Sequence, residues 1–330
     1  MKPPATATII QTAPAEYEGW VQLGDLFTAG KLLCCALGAV TPQRHWTAIA
    51  RMLARVHLRL RGSKHERLAY ACKQYLSADP AELELQVTAA EYEENIEAIR
   101  EILPGGWRRP IVLRGSASLV EARRQGRGAV LWVSRFAHSD VVTKRALSLA
   151  GYPPSHLSHL RHPFSASWVG ARVLNWVRLR AENRYLERRV LVSYGQAQPA
   201  LDVLKQVLRD NGVVTITAIG SGRKVIRLPL LGGTIRLATG APRLALDTAA
   251  ALIPVFTVPD ETGGYAVHCG PDLNSDNAGM DREALMRRMA ERHVALLETF
   301  VRAHPGKWKG WLTLSWEPRA PESAEQGDRV

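Results

Sequence analysis

The chain has 330 residues, of which 46% are hydrophobic and 22% are charged, and this composition argues against an extensively disordered protein. Its 43 Lys and Arg outnumber its 31 Asp and Glu, which leaves a formal net charge of +12. This balance favours anionic partners, namely nucleic acid, anionic lipid head groups or acidic carrier proteins.

The two ends of the chain and its most apolar run are expected to lack a membrane-spanning helix. Residues 1–20, rich in Pro, Thr and Ala, predict a flexible lead-in, and the polar residues 319–330 predict a disordered tail. Lys2 is too little basic charge for the start of a signal peptide. The run at residues 26–40 is interrupted by Lys31 and is shorter than the roughly 20 residues of a spanning helix.

The cysteine pattern indicates neither a metal site nor a redox motif. No CxxC spacing joins the four cysteines, so a zinc ribbon and a thioredoxin-type site are not predicted. Cys34 and Cys35 lie together in an apolar run, and both are predicted to be small buried hydrophobic residues. We expect free thiols, as in a reducing compartment.

Residues 21–110 are predicted to form a helical region that packs on the core. Apolar residues recur three or four positions apart on one face of a first helix: Trp46, Ile49, Leu53, Val56 and Leu60. The same spacing recurs in a second helix: Tyr92, Ile96, Ile99 and Leu103. Its acidic residues are predicted to face solvent: Glu91, Glu93, Glu94 and Glu97. The apolar face over residues 26–60 either lies on an anionic membrane surface or caps the core.

Strands and helices alternate beyond Pro110. Short apolar runs predict strands at residues 129–133, 190–192, 213–217, 225–228, 252–258, 265–268 and 311–314. Helical patterns fall between several of them, at residues 141–150, 167–179, 200–209 and 282–303. Such alternation predicts an α/β fold, a mostly parallel twisted sheet flanked by helices, over residues 111–318. The site is then expected where the strands end at their carboxyl edge.

The loop that follows Val133 holds His138 and Asp140, directly before a predicted helix. Ser139 or Asp140 is predicted to be the N-cap of that helix. A histidine near the positive end of a helix stays neutral and can act as a base, which a nearby carboxylate would orient. The alternative is that Asp140 is only a cap and that His138 is a surface loop residue.

Motifs for nucleotides and metals do not occur in the sequence. We find no GxGxxG, GxxxxGK[ST], HExxH, Gly-x-Ser-x-Gly or zinc-type spacing, so no cofactor and no metal is predicted. The net charge lacks an accompanying nucleic-acid recognition motif, and we expect no nucleic acid among the partners.

Three segments occur in an order typical of one enzyme family. Residues 128–153 contain a glycine, an apolar strand, the His138 loop, a helix and the ending AGYP. Residues 157–163 contain an arginine followed by His-Pro, and residues 228–258 contain Gly240-Ala241 and a PVF sequence. Together they resemble the signature blocks of the lipid A biosynthesis acyltransferases, lauroyl and myristoyl types, within the glycerolipid acyltransferase superfamily.

The resemblance implies a glycerolipid-acyltransferase-like fold and the transfer of a fatty acyl chain. The donor would be the thioester of an acyl-carrier protein or acyl-CoA, and the acceptor a hydroxyl or amine of a lipid or small molecule. It also implies a peripheral location on the cytoplasmic side of the inner membrane. Arg161 would face an anionic substrate group, and Gly240 and Ala241 would let the backbone approach the substrate closely.

The family motif is altered at one position. Arg135 stands where the family has its catalytic histidine, Asp140 keeps the acid, and His138 lies three residues later. Arginine cannot serve as a general base, because its pKa exceeds about 12. Either His138 acts as the base with Asp140, or the chain is a catalytically silent homologue that binds acyl chains or acyl carriers. Arg135 is predicted to pair with Asp140 or with a substrate phosphate.

Overall fold

The computed structural model describes residues 7–11, 17–62, 66–159, 165, 167–192, 197–218, 220, 224–275 and 279–315. Within them the strands are β1 (Thr8–Gln11), β2 (Ile111–Arg114), β3 (Ala129–Val133), β4 (Ser155–His159), β5 (Arg188–Val192), β6 (Val213–Thr217), β7 (Val225–Leu230), β8 (Gly233–Ala238), β9 (Ala251–Pro259) and β10 (Tyr265–Cys269). Most strands are short, as the spacing of the apolar runs predicts.

The α-helices of the described residues surround these strands. They are α1 (Leu23–Ala39), α2 (Trp46–Arg61), α3 (Glu66–Ala71), α4 (Pro80–Ile102), α5 (Ala117–Arg124), α6 (Ser139–Leu149), α7 (Asn175–Asn183), α8 (Gln198–Arg209), α9 (Gly240–Thr248) and α10 (Arg282–Ala303). Asp79 caps α4 and Asp281 caps α10 through side-chain acceptors. A π-helical turn at Gly170–Leu174 leads into α7.

One eight-stranded sheet forms the centre, in the order β1-β5-β4-β6-β3-β9-β10-β2. β9 and β10 are antiparallel, while the other neighbours run parallel. Ala129 pairs in register with Val213 of β6 and with Ala251 of β9. The segments predicted as strands at residues 129–133, 213–217 and 252–258 therefore lie in one mostly parallel sheet, as predicted. β7 and β8 form a separate antiparallel hairpin.

The central strand β3 is buried on both faces, and its alternating side chains divide the core in two. Val130 and Trp132 pack in a hydrophobic cluster with residues of α8, α9 and α10. Ala129, Leu131 and Val133 pack in a second cluster with residues of α1, α2, α4 and α6. The loop after β3 therefore emerges between two helical layers at the carboxyl edge of the sheet, where ligands bind in such folds.

The N-terminal helices share this second cluster with the sheet, as the predicted N-terminal helical region requires. The buried face of α2 nevertheless differs from the predicted one. Trp46, Ala50 and Ala54 are buried, whereas Val56 and Leu60 are exposed. The boundaries at residues 20, 110 and 318 remain predictions, and no described helix has the length and apolar character needed to cross a membrane.

The strand prediction was wrong at one segment, and it missed four strands, β1, β2, β4 and β8. β1 lies within residues 1–20, which were expected to be a flexible lead-in. The predicted strand at residues 311–314 is a 3-10 turn, Lys309–Thr313, because the Trp311 indole folds back and donates to the Pro305 carbonyl at 2.9 Å. β4 was missed because its buried residues are polar. His156 bonds to Thr215 and Ser158 accepts from Arg189, so the strand is held by polar contacts.

The cysteines are free thiols, and the predicted burial is correct for Cys35 but wrong for Cys34. Cys35 is buried and Cys34 is exposed. Adjacent residues of a helix point about 100° apart, so α1 turns only one of the two thiols toward the core. Burial raises the pKa of the Cys35 thiol to about 12.

Candidate functional site

The loop between β3 and α6 is held in place by its main chain. The Ser134 amide donates to the Val255 carbonyl at 2.9 Å, and the Ala137 amide donates to the Lys307 carbonyl at 2.6 Å. The Lys309 amide donates in turn to the Arg135 carbonyl at 2.8 Å. β9 and the turn after α10 therefore fix the position of the side chains on this loop.

His138 lies at the end of this loop in a strained conformation. Its φ is +69°, in the left-handed region that non-glycine residues rarely adopt, and its side chain is only 2% exposed. His138, rather than Ser139 or Asp140, is the N-cap residue of α6, and it makes no side-chain capping bond. Strain of this kind persists only where the surrounding structure enforces it, and it is concentrated at functional sites.

Glu97 of α4 is the carboxylate that lies against His138. His138 Nδ1 is 2.7 Å from Glu97 Oε2, although the two atoms do not form a hydrogen bond in this conformation. The Tyr265 hydroxyl donates to Glu97 Oε1 at 3.0 Å, and Arg109 Nε lies 3.0 Å from the same oxygen. With Nδ1 directed at a carboxylate, Nε2 is left without a partner among the described residues. A base oriented by an acid has this arrangement.

Asp140 belongs to a neighbouring contact set. Its Oδ2 lies 3.4 Å from Arg178 Nη2 and 3.9 Å from Lys309 Nζ. Both cations also contact Glu94 of α4. The structure therefore places Asp140 with buried cations, and it brings Glu97 to the histidine.

The prediction that the glutamates of α4 face solvent is wrong for Glu93, Glu94 and Glu97. Glu93, Glu94 and Glu97 are 3%, 3% and 6% exposed, and Glu101 is buried beside them. The reason is that α4 packs between α2, α7 and the turn after α10. A buried carboxylate stays charged only when a cation is paired with it. The four buried glutamates have these cations as neighbours: Arg109, Arg145, Arg178, Arg184, Lys307 and Lys309.

Two of these glutamates have strongly depressed pKa values. Burial alone would raise the pKa of Glu93, but the electrostatic attraction of His138, Lys307 and Arg109 holds it at about 2. Burial acts on Glu94 in the same way, and Arg178 and Lys309 lower its pKa to about 2. Both carboxyls are therefore ionised at neutral pH.

Acid is expected to destabilise the fold as the pH falls from about 4.5 toward 2. A carboxyl whose folded pKa lies below its unfolded value stabilises the fold above the unfolded pKa, here 4.5, and loses this contribution as pH falls through the folded value, here about 2. The urea midpoint should decline across this window, and less steeply in Glu93→Gln than in the parent protein. Equal slopes in the two proteins would contradict the assignment.

Three of the other predicted site residues, Arg135, Gly240 and Ala241, are described by the structure, and none of them lines the cavity beside His138. Arg135 is half-buried and lines a small cavity at the carboxyl end of β3. Gly240 begins α9 with open space around it, and Ala241 is buried in the core. Arg161 lies outside the described residues.

Two cavities adjoin the buried charges. One of about 340 Å³ lies between α2, α4 and the turn after α10, and its wall includes Ala50, Ala89, Glu93 and Lys307. The other, beside His138, is only about 10 Å³, and Trp107 is part of its lining. The side chain of His138 is therefore covered in this conformation.

A second buried pair lies at the start of the loop. Ser134 Oγ is 2.9 Å from His293 Nε2, and burial lowers the pKa of His293 to about 3, so its imidazole is neutral. No cluster of His, Cys, Asp or Glu that could hold a metal ion occurs in the part of the chain that the structure describes.

Comparison with known proteins places the sequence among acyltransferases. Residues 95–317 match the family described as bacterial lipid A biosynthesis acyltransferase. The phosphatidylinositol mannoside acyltransferase of Mycobacterium tuberculosis (strain ATCC 25618 / H37Rv) is 30% identical over 121 residues, 36% of this chain and 36% of that protein. The enzyme of the same name from Mycolicibacterium smegmatis (strain ATCC 700084 / mc(2)155) is 30% identical over 137 residues, 40% of this chain and 43% of its own. These matches span less than half the length of either relative.

Proposed function

The chain belongs to the bacterial lipid A biosynthesis acyltransferase family, and from this membership we propose that it transfers a fatty acyl chain from a thioester to a lipid. The proposed donor is an acyl-carrier protein or acyl-CoA, and the acceptor is a hydroxyl or amine. The relatives named phosphatidylinositol mannoside acyltransferases point to a glycosylated phospholipid as the first acceptor to try.

The contact between His138 and Glu97 carries the mechanistic proposal. Glu97 lies 2.7 Å from Nδ1 and can orient the ring, and Nε2, which has no partner among the described residues, can take the proton of the acceptor hydroxyl or amine. The deprotonated atom attacks the thioester carbonyl carbon, and the carbon–sulfur bond breaks. The imidazolium then returns its proton to the leaving thiolate. In this proposal Glu97 takes the orienting role that Asp140 has in the sequence-based prediction.

The burial of His138 supports a second candidate. Its side chain is 2% exposed beside a cavity of about 10 Å³, so an acceptor reaches Nε2 only after Trp107 or a neighbouring side chain moves. A homologue that binds acyl chains or acyl carriers without transferring them requires no such movement. Arg135 in the place of the family histidine favours the same candidate, because arginine cannot act as a base.

A transfer assay separates the two candidates. Purified protein is mixed in detergent with an acyl-carrier thioester or acyl-CoA and with phosphatidylinositol mannoside, and the products are read by mass spectrometry. The transferase produces an acylated lipid and an equivalent amount of free thiol. The silent homologue retains the acyl chain with its thioester intact.

We also propose that the protein works at the surface of an anionic membrane, on the cytoplasmic side. One face of α1, with the residues just before it, is apolar and exposed: Trp20 at 73%, Leu23 at 86%, Leu26 at 67%, Leu33 at 65% and Leu37 at 65%. Exposed arginines on and before α2 provide complementary charge for anionic head groups: Arg44, Arg55 and Arg59. Free cysteines fit a reducing compartment.

The substitution Leu33→Asp is expected to weaken binding to vesicles that contain anionic phospholipid by at least about tenfold. The reason is that burying one leucine stabilises the bound state by roughly 1.5–3 kcal/mol. Leu149→Asp at the end of α6 is the matched control, since Leu149 is 56% exposed and lies off this face. Flotation at low salt measures both variants, and equal losses in the two would refute this surface.

A further inference from the structure

A small arginine-lined pocket lies at the carboxyl ends of β3 and β6. Its lining includes Ser134 and Ala218, the residues that directly follow these strands. Arg135, Arg236 and Gly310 also line it. Its volume is about 40 Å³, which suits a few water molecules or one small tetrahedral anion. The site of an open α/β sheet is expected at this edge.

The charge in this pocket is positive and uncompensated by the described residues. Its described lining contains two guanidinium groups and no carboxylate. In the β7–β8 hairpin Arg236 is directly opposite Arg227, and like charges in such a pair destabilise a sheet. Some exposed arginines elsewhere have acidic neighbours, as Arg124 has Glu121 and Arg302 has Glu298.

The sequence around β7 and β8 shows the same bias. Residues 211–246 contain no Asp or Glu. Lys224 pairs with Glu283 of α10 at 3.5 Å, whereas no carboxylate is among the described residues that line the pocket of Arg135 and Arg236. Two guanidinium groups in such a pocket repel each other less when an anion binds.

The main chain of Arg135 is held in place by backbone hydrogen bonds before any ligand binds. Its carbonyl accepts from the Lys309 amide at 2.8 Å, and the Ser134 amide beside it donates to Val255 at 2.9 Å. The Ser134 hydroxyl is fixed by His293 at 2.9 Å. Ordering that exists before binding removes an entropic cost that the ligand would otherwise have to offset.

We propose that this pocket binds the phosphate of a phosphate ester, with Arg135 and Arg236 as its ligands. The planar guanidinium donates two parallel hydrogen bonds to phosphate oxygens. The proposal rests on the proposed acyl transfer, in which a phosphopantetheine donor and a phospholipid acceptor each carry an esterified phosphate. Arg135 then positions a substrate at the place where the family has its catalytic histidine, and it takes no part in proton transfer.

Calorimetric titration tests the proposal with two probes, 4′-phosphopantetheine for the donor and glycerophosphoinositol for the acceptor. Arg135→Gln and Arg236→Gln are each expected to weaken binding of at least one probe by about tenfold or more, since hydrogen bonds to charged groups are the strong ones. Arg287→Gln is the charge-matched control, because Arg287 is an exposed residue of α10 that lies next to Glu291. Arg135→Lys should recover part of the affinity.

The two probes identify the source of the phosphate. A loss confined to phosphopantetheine assigns the pocket to the donor, and a loss confined to glycerophosphoinositol assigns it to the acceptor. The proposal is overturned if the parent protein binds neither probe, or if the Arg135, Arg236 and Arg287 variants bind equally well. The readout is binding, so absence of acyl transfer with intact phosphate binding would count only against the proposed function.

Discussion

The substitution His138→Asn is expected to lower the rate of acyl transfer by about 10²–10⁴-fold, the usual contribution of a general base. Asparagine tolerates the left-handed φ of +69° at this position better than alanine does. The fold should therefore survive while Nε2 is lost. The measurement is the initial rate of acylated lipid formation from the thioester donor at pH 7.

His45→Asn is the matched control, since His45 is an exposed residue of the short turn before α2. This variant should transfer at the rate of the parent protein. An active His138→Asn variant with unchanged stability would remove His138 from the mechanism. If Arg135→Gln alone then abolished transfer, the reaction would depend on the cationic pocket and not on a histidine base.

The substitution Glu94→Gln is expected to reduce the free energy of unfolding by about 3–5 kcal/mol, the cost of breaking a buried ion pair from one side. Glu94 is 3% exposed and contacts Arg178 and Lys309. The neutral amide would remove a carboxylate that contacts the buried Arg178, whose Nη2 also lies 3.4 Å from Asp140 Oδ2. Urea denaturation of the variant and the parent gives the difference.

Glu91→Gln on the same helix provides the comparison. Glu91 pairs with Lys31 at 3.3 Å, but its side chain is 45% exposed, and pairs of this kind contribute roughly 0–1 kcal/mol. The two substitutions make the same chemical change on one helix and differ in burial. Equal losses of stability in both variants would show that α4 is not held by its buried charges.

The sheet could be predicted because its strands are apolar in sequence. β3, β6 and β9 are continuous runs of buried aliphatic residues, which is the pattern of strands covered on both faces. β4 lacks that pattern, since Ser155, His156 and Ser158 are buried polar residues. Their burial depends on partners from β5 and β6, which are distant in sequence and cannot be inferred from local periodicity.

Of the two residues in the His138–Glu97 contact, only His138 is predicted from the sequence as a candidate. It is predicted from its place after a strand, whereas Glu97 lies on a helix whose acidic residues indicated a solvated face. The spacing of Glu93, Glu97 and Glu101, four residues apart, shows that they share one face of α4. It does not show that the face meets Arg109 and Arg145, because those partners are brought in by the tertiary fold.

The central claim, that His138 acts as the base and Glu97 orients it, is tested most directly by a double-substitution cycle in the transfer assay. The rates of His138→Asn, Glu97→Gln and the double variant are compared with that of the parent protein. Residues that act as one unit give non-additive effects, so we predict that Glu97→Gln slows transfer and that the double variant is no slower than His138→Asn alone. A Glu97→Gln variant that transfers at the parental rate would contradict the account.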